Sequence, residues 1–277
     1  MERHLVQTAC GYVHLRTAGE ASAAPTVVLL HQSPSSGRMW LDVMRELAPG
    51  IRTCAVDLLG YGDSDMPSEQ LTLEEHADLV AAAVRRVVAG PVVLVGHHTG
   101  AVVAAHLAAS ETGWVQGLLL SGYPLYPDWR AKLARLGPVL RPVSVERDGA
   151  GLDEIWRHVT GPLEPDPDPE VALTIMADRL RAGSLWFTGY VQLLGADLSR
   201  ILDDAAEAVR GRPTVVVSAD ADPIEAYAAE VARRFGVDVT RIQGTSWVSF
   251  EHPERVAEPI DELVRRVRAE LTEVTDA

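Results

Sequence analysis

The residues with the clearest chemical potential lie in Val92-Val93-Leu94-Val95-Gly96-His97-His98-Thr99-Gly100-Ala101-Val102-Val103. A run of β-branched and apolar residues leads into a Gly-x-His-x-Gly turn, and an alanine- and valine-rich stretch with helical character follows. Such a strand–turn–helix lifts its central side chain to the top of a parallel sheet, where a nucleophile is commonly carried. Gly96 and Gly100 are sterically required, because strand and helix must pass close together while the central residue holds a strained backbone. The raised residue is His98. An imidazole with an unperturbed pKa near neutrality suits proton transfer at that point. The alternative is a site whose fold persists after its chemistry is lost. His97, beside it, reads as a packing residue at the pocket wall.

The elements around the turn follow from periodicity. Residues 4–17 alternate around Gly11 as an edge hairpin. Residues 26–30 are a buried parallel strand that ends in the turn-rich His31-Gln32-Ser33-Pro34-Ser35-Ser36-Gly37, and a helix is expected over 39–47. The strand 52–56 ends in Asp57-Leu58-Leu59-Gly60-Tyr61-Gly62-Asp63-Ser64-Asp65. A helix over 73–88 has Thr72 as N-cap and Glu75 completing a capping box. A strand is expected over 115–120. The stretch 123–210 is rich in proline and arginine and lacks a strong strand, which predicts an inserted helical cap. The core resumes with a strand over 214–219, a helix over 224–235, a strand over 237–242 and a closing helix from Pro253. The expected organisation is therefore a core over 1–122, a cap over 123–210 and a second core part over 211–277. Strands alternating with helices imply an α/β fold with a mostly parallel sheet covered on both faces. Ligands bind such sheets beyond the carboxyl ends of the strands, where each unusual loop sits.

With these motifs in place, the chain resembles the α/β-hydrolase superfamily over essentially its whole length. His31-Gln32-Ser33-Pro34 is similar to the family's His-Gly-x-Pro oxyanion loop. Asp57-x-x-Gly60-x-Gly62-x-Ser64 resembles a loop of the epoxide-hydrolase-like and dehalogenase-like branches, and Gly96–Gly100 resembles the nucleophile elbow. Ser218-Ala219-Asp220-Ala221-Asp222-Pro223 is similar to the acid loop, which places Asp222 at the triad acid. The stretch around Glu251-x-Pro253-Glu254 resembles the segment with the catalytic histidine, whose position falls on Ser246. The departures carry as much meaning. His98 stands where Ser, Cys or Asp is expected, Ser246 where histidine is expected, and Gln32 where glycine is usual, so ordinary Ser-His-Asp acyl transfer does not carry over.

The candidate catalytic residues are thus His98, Asp222 and Ser246. The longer imidazole can reach Asp222 directly or through Ser246. Asp222 can also simply cap the helix after Pro223. A reversed arrangement, with Ser246 as nucleophile, would hold its hydroxyl away from the oxyanion donors. The resemblance implies the backbone amides of Ser33 and Thr99 as those donors. His31, Gln32, Trp40, His97, Tyr123, Tyr126, Trp186 and Tyr190 are candidates to line an apolar pocket between core and cap, with Phe187 beside them.

Composition narrows the partners. A net charge of −14 without a basic cluster argues against nucleic acid. No run of about 18 apolar residues exists to span a membrane, and the N-terminus has no apolar signal core, so a cytoplasmic protein is expected. Cys10 and Cys54 have no metal-ligand spacing and fall in expected strands, as buried thiols with a disulfide a lesser alternative. His31, His97 and His98 form no familiar metal pattern, and neither metal nor cofactor is expected. The expected function is acid–base chemistry by His98 on a small, largely apolar molecule, by a monomer or homodimer, through cyclisation, elimination or water-mediated hydrolysis. The alternative is a non-catalytic small-molecule binding protein.

Overall fold

The computed structural model describes residues 1–21, 24–47, 49–140, 145–183 and 186–275. Its strands are β1 (Glu2–Thr8), β2 (Gly11–Ala18), β3 (Thr26–Leu30), β4 (Arg52–Val56), β5 (Val92–His97), β6 (Val115–Ser121), β7 (Thr214–Ala219) and β8 (Val239–Ile242). They form one sheet in the order β1-β2-β4-β3-β5-β6-β7-β8. β2 runs against both of its neighbours, whereas β4, β3, β5, β6, β7 and β8 pair in parallel. The expected α/β architecture and edge hairpin are thus present.

The central strands β3, β4, β5 and β7 are buried at every position. That explains why β3, β5 and β7 run largely apolar without alternation. One face of the sheet carries α2 (Leu73–Val84) and α3 (Thr99–Ser110) over Val28, Leu30, Leu94 and Leu118. The other carries α1 (Leu41–Glu46) and the long α11 (Pro253–Thr275) over Val27, Leu29, Val93 and Val95. Thr72 caps α2 as expected, with its hydroxyl accepting from Glu75 N and the Glu75 carboxylate accepting from Thr72 N.

Between β6 and β7 the chain runs through α4 (Trp129–Leu136), α5 (Leu152–Thr160), α6 (Pro169–Arg181), α7 (Thr188–Gly195) and α8 (Leu198–Ala208), with no strand among the described residues. α5 and α6 pack around Ile155, Val159, Ala172 and Ile175, and Trp247 from the core joins that cluster. α8 instead lies against α3, in the layer that covers the sheet.

Several expectations shift in detail. The helix expected over 39–47 begins as a 3-10 turn, Gly37–Trp40, before α1. The helix expected over 224–235 divides into a 3-10 turn, Glu225–Tyr227, and α9 (Ala228–Phe235). Cys10 is exposed in the turn between β1 and β2, not buried in a strand. Cys54 is buried in β4, both thiols are free, and burial pushes the Cys54 pKa up to about 12.

Candidate active site

Because β3, β5 and β7 are parallel, their carboxyl ends open onto one edge of the sheet. His31 and Gln32 follow β3, His98 follows β5, and Asp222 follows β7. Ser246 lies just before the short helix α10 (Val248–Glu251).

His98 has φ 49° and ψ −113°, outside the conformations an L-residue adopts readily. Such a backbone costs about 1–3 kcal/mol and persists only where the surroundings impose it. The imposition is visible at the flanking glycines. A Cβ on Gly96 would sit 2.3 Å from Gly100 O, and one on Gly100 would sit 2.2 Å from Leu30 O. The close packing of β5, α3 and the end of β3 therefore forces the turn that projects His98.

The imidazole meets Asp222 directly, with Nε2 2.7 Å from Oδ2. Ser246 does not intervene. Asp222 also caps the turn that follows it, accepting from Ile224 N at 3.0 Å through its other oxygen, Oδ1. Orientation and capping, posed as alternatives by the sequence, are served by one carboxylate. Burial on its own would raise the Asp222 pKa, but the charge and hydrogen bond of His98 outweigh it and bring the carboxyl down to about 2. Gly122 makes this pairing possible. A Cβ there would lie 2.6 Å from His98 Cδ2 and 2.9 Å from Asp222 Oδ2.

With Nε2 facing a carboxylate, the neutral ring donates from Nε2 and carries its lone pair on Nδ1. Nδ1 has no hydrogen-bond partner among the described residues, and the side chain keeps 21% of its surface exposed. The ring borders a cavity of ≈270 Å³ between α4–α7 and the sheet. Gln32, Tyr126, Trp186, Tyr190 and Ser246 border it too.

Four expected pocket residues do not reach the cavity. Trp40 is 1% exposed in the core on the α1 and α11 side of the sheet. Tyr123 is buried and donates its hydroxyl to Leu198 O at 2.7 Å, which ties β6 to α8. His31 is fully buried, with Nδ1 donating to Gln32 O at 2.8 Å and Nε2 accepting from Leu58 N at 2.9 Å. His97 is also buried. Its Nε2 donates to Ser246 O at 2.8 Å, so Nδ1 accepts from the Ser121 hydroxyl at 2.9 Å. Burial, reinforced by the adjacent His98 ring, lowers the His97 pKa to about 3 against the opposing pull of Asp222. Gln32 donates to the same Ser246 carbonyl at 3.2 Å. The side chain that replaces glycine in this loop thus braces the Ser246 segment.

Among the described residues no turn or loop hydrogen bond takes the Ser33 or Thr99 amide, and neither residue borders the cavity. Arg135, His158, Arg179 and Trp247 also border the cavity and were not anticipated. Arginines scattered through a polar insertion carry no local signal of which way they face. His97, His98 and Asp222 hold three potential metal-ligand atoms within 4.8 Å of one another, as do His14, Asp57 and Asp63. Both His97 nitrogens are already hydrogen-bonded, as are the His14 ring nitrogens and the Asp57 oxygens. Neither group offers a free ligand set. No helix among the described residues is long and apolar enough to cross a membrane.

The fold matches solved structures along nearly the full chain. The haloalkane dehalogenase DbeA from Bradyrhizobium elkani superposes with a TM-score of 0.78 and 22% identity, covering 97% of this chain and 99% of that one. A thermophilic esterase from Thermogutta terrifontis gives a TM-score of 0.73 and 23% identity, covering 96% and 99%. At that identity the likeness shows the fold alone. In sequence, a haloalkane dehalogenase of Mesorhizobium japonicum is 36% identical over 100 residues, 36% of this chain and 32% of the relative. Lipase LipV of Mycobacterium tuberculosis is 35% identical over 108 residues, 39% of this chain and 40% of the relative. The matched stretch thus spans only about a third to two fifths of these relatives. The model of the alpha/beta hydrolase family matches residues 27–258, and the chain belongs to that family.

Proposed function

We propose that this protein is an enzyme in which His98 acts as a general base on a small organic molecule held between the sheet and a cap formed by α4–α7. The 2.7 Å contact between His98 Nε2 and Asp222 carries this reading. It sets the tautomer, leaves the Nδ1 lone pair without a partner among the described residues, and puts a carboxylate beside the imidazolium formed by proton uptake. The proton comes from a water molecule or from an acidic group of the substrate. Where water is the nucleophile, the backbone amides of Ser33 and Thr99 are the candidates to receive the developing oxyanion. The strain held at His98 supports use of the site, because such strain clusters where the chemistry needs it. The hydrolytic relatives favour activated water. No covalent intermediate on Ser246 is part of the mechanism.

The test is turnover of a panel of small esters, lactones and epoxides, followed by mass spectrometry. Loss of a base of this kind lowers the rate by about 10²–10⁴-fold. We expect that loss in H98A. In D222N, which keeps the shape and removes the charge, we expect a fall of at least about tenfold in kcat with little change in KM. A fluorophosphonate probe is expected to leave the protein unlabelled. Turnover at the parent rate in H98A, or covalent labelling of Ser246, would overturn the assignment.

A further inference from the structure

The cavity beside His98 has a charge at odds with the rest of the chain. The protein carries −14 overall, yet no Asp or Glu among the described residues borders the cavity, whereas Arg135, Arg179, His158 and His98 all do. Arg135 is exposed at the cavity's edge. Arg179, from α6, is only 6% exposed.

Arg179 forms no ion pair among the described residues. Its Nε and Nη2 are buried without a hydrogen-bond partner, and so is the indole Nε1 of Trp186. The neighbouring acid, Asp178, is committed elsewhere, accepting from Ser36 Oγ at 2.6 Å and Arg38 Nη1 at 3.0 Å. The guanidinium lies over the Trp186 ring, 3.7 Å from its centroid. That stacking fixes the guanidinium while its Nε–Nη2 edge stays unsatisfied. Burial depresses the Arg179 pKa, only partly offset by Tyr190 and Glu154, as expected for a cation that has lost its water. A buried charge without a counter-ion is strongly destabilising, and proteins keep one where a ligand supplies the opposite charge.

We propose that Arg179, stacked on Trp186, binds a carboxylate of the substrate and so directs the rest of the molecule toward His98. A planar carboxylate matches the paired N–H edge of a guanidinium better than any neutral group does. The pocket is then selective for small organic acids instead of plain apolar molecules. That the bound acid is a substrate rests on the general-base reading above. That the subsite binds an anion does not, so the two are tested separately.

Benzoate and benzamide share one shape and differ in charge. Calorimetric titration at pH 7 is expected to give a dissociation constant for benzoate at least tenfold below that for benzamide. R179Q should erase the difference, R179K should keep part of it, and H98A should leave it intact. In thermal melts, benzoate should raise the midpoint of the parent protein and leave R179Q unmoved, while ligand-free R179Q should melt no lower than the parent. Equal binding of the two probes by the parent protein would overturn the subsite without touching the role of His98. Discrimination that survives in R179Q would do the same. Should R179Q not fold, the parent titrations and R179K still decide the question.

Discussion

His97 offers a test in which a pH dependence isolates one buried ring. Its two nitrogens bridge Ser121 and the Ser246 carbonyl, and its pKa falls from 6.5 to about 3. The folded protein therefore holds this ring neutral while the unfolded chain protonates it below pH 6.5. The unfolded state binds more protons across that window, so stability is full above pH 6.5 and falls as the pH drops toward 3. The whole shift corresponds to about 5 kcal/mol at 1.36 kcal/mol per unit. Between pH 7 and pH 5 the loss assigned to His97 is about 2 kcal/mol. With a urea m-value of about 3 kcal/mol/M, the midpoint moves by roughly 0.6 M. The measurement is urea unfolding of the parent and H97N at both pH values. His31 is likewise lowered by burial, and buried His76 to about 4, so both proteins lose stability in acid. The difference between their losses isolates His97. We expect H97N to lose about 2 kcal/mol less than the parent over this interval. Equal losses would mean that His97 is not held neutral, and the bridge to Ser246 would need a different account.

Three further outcomes follow from the packing. Gly122→Ala should separate His98 from Asp222 and cost about 1–2 kcal/mol for the left-handed backbone alone, with φ +58° at that position; thermal melting and the activity assay check both effects. Trp40→Ala should destabilise by about 3–5 kcal/mol as a buried truncation, yet leave benzoate affinity unchanged, whereas Trp186→Ala should weaken benzoate binding at least fivefold by calorimetry. Thr72→Ala should remove the α2 capping box and cost about 1 kcal/mol in urea unfolding, with no effect on ligand binding.

Local rules account for much of the fold. The apolar runs within 26–30 and 92–97 fit strands buried on both faces, and both strands are buried at every position. The Thr72–Glu75 box is set by neighbours three residues apart. The Gly-x-His-x-Gly turn identifies its raised side chain, because only glycines tolerate the approach of strand, helix and β3 carbonyls.

Contacts between distant segments decided the rest. Trp40 has the composition of a pocket aromatic, but the 3-10 turn Gly37–Trp40 delivers it to the core on the far side of the sheet. Cys10 sits in an apparent strand that the hairpin turns into an exposed corner. Arg179 gives no sign in the sequence that it faces inward, since that depends on how α6 settles beside Trp186. The direct pairing of His98 with Asp222 spans 124 positions and depends on Gly122 leaving room between them. Residue types and local spacing determine which side chain is raised and at what backbone cost. Which partner it meets is decided only when β5, β6 and β7 pair side by side, because a hydrogen bond depends on distances that the chain acquires on folding.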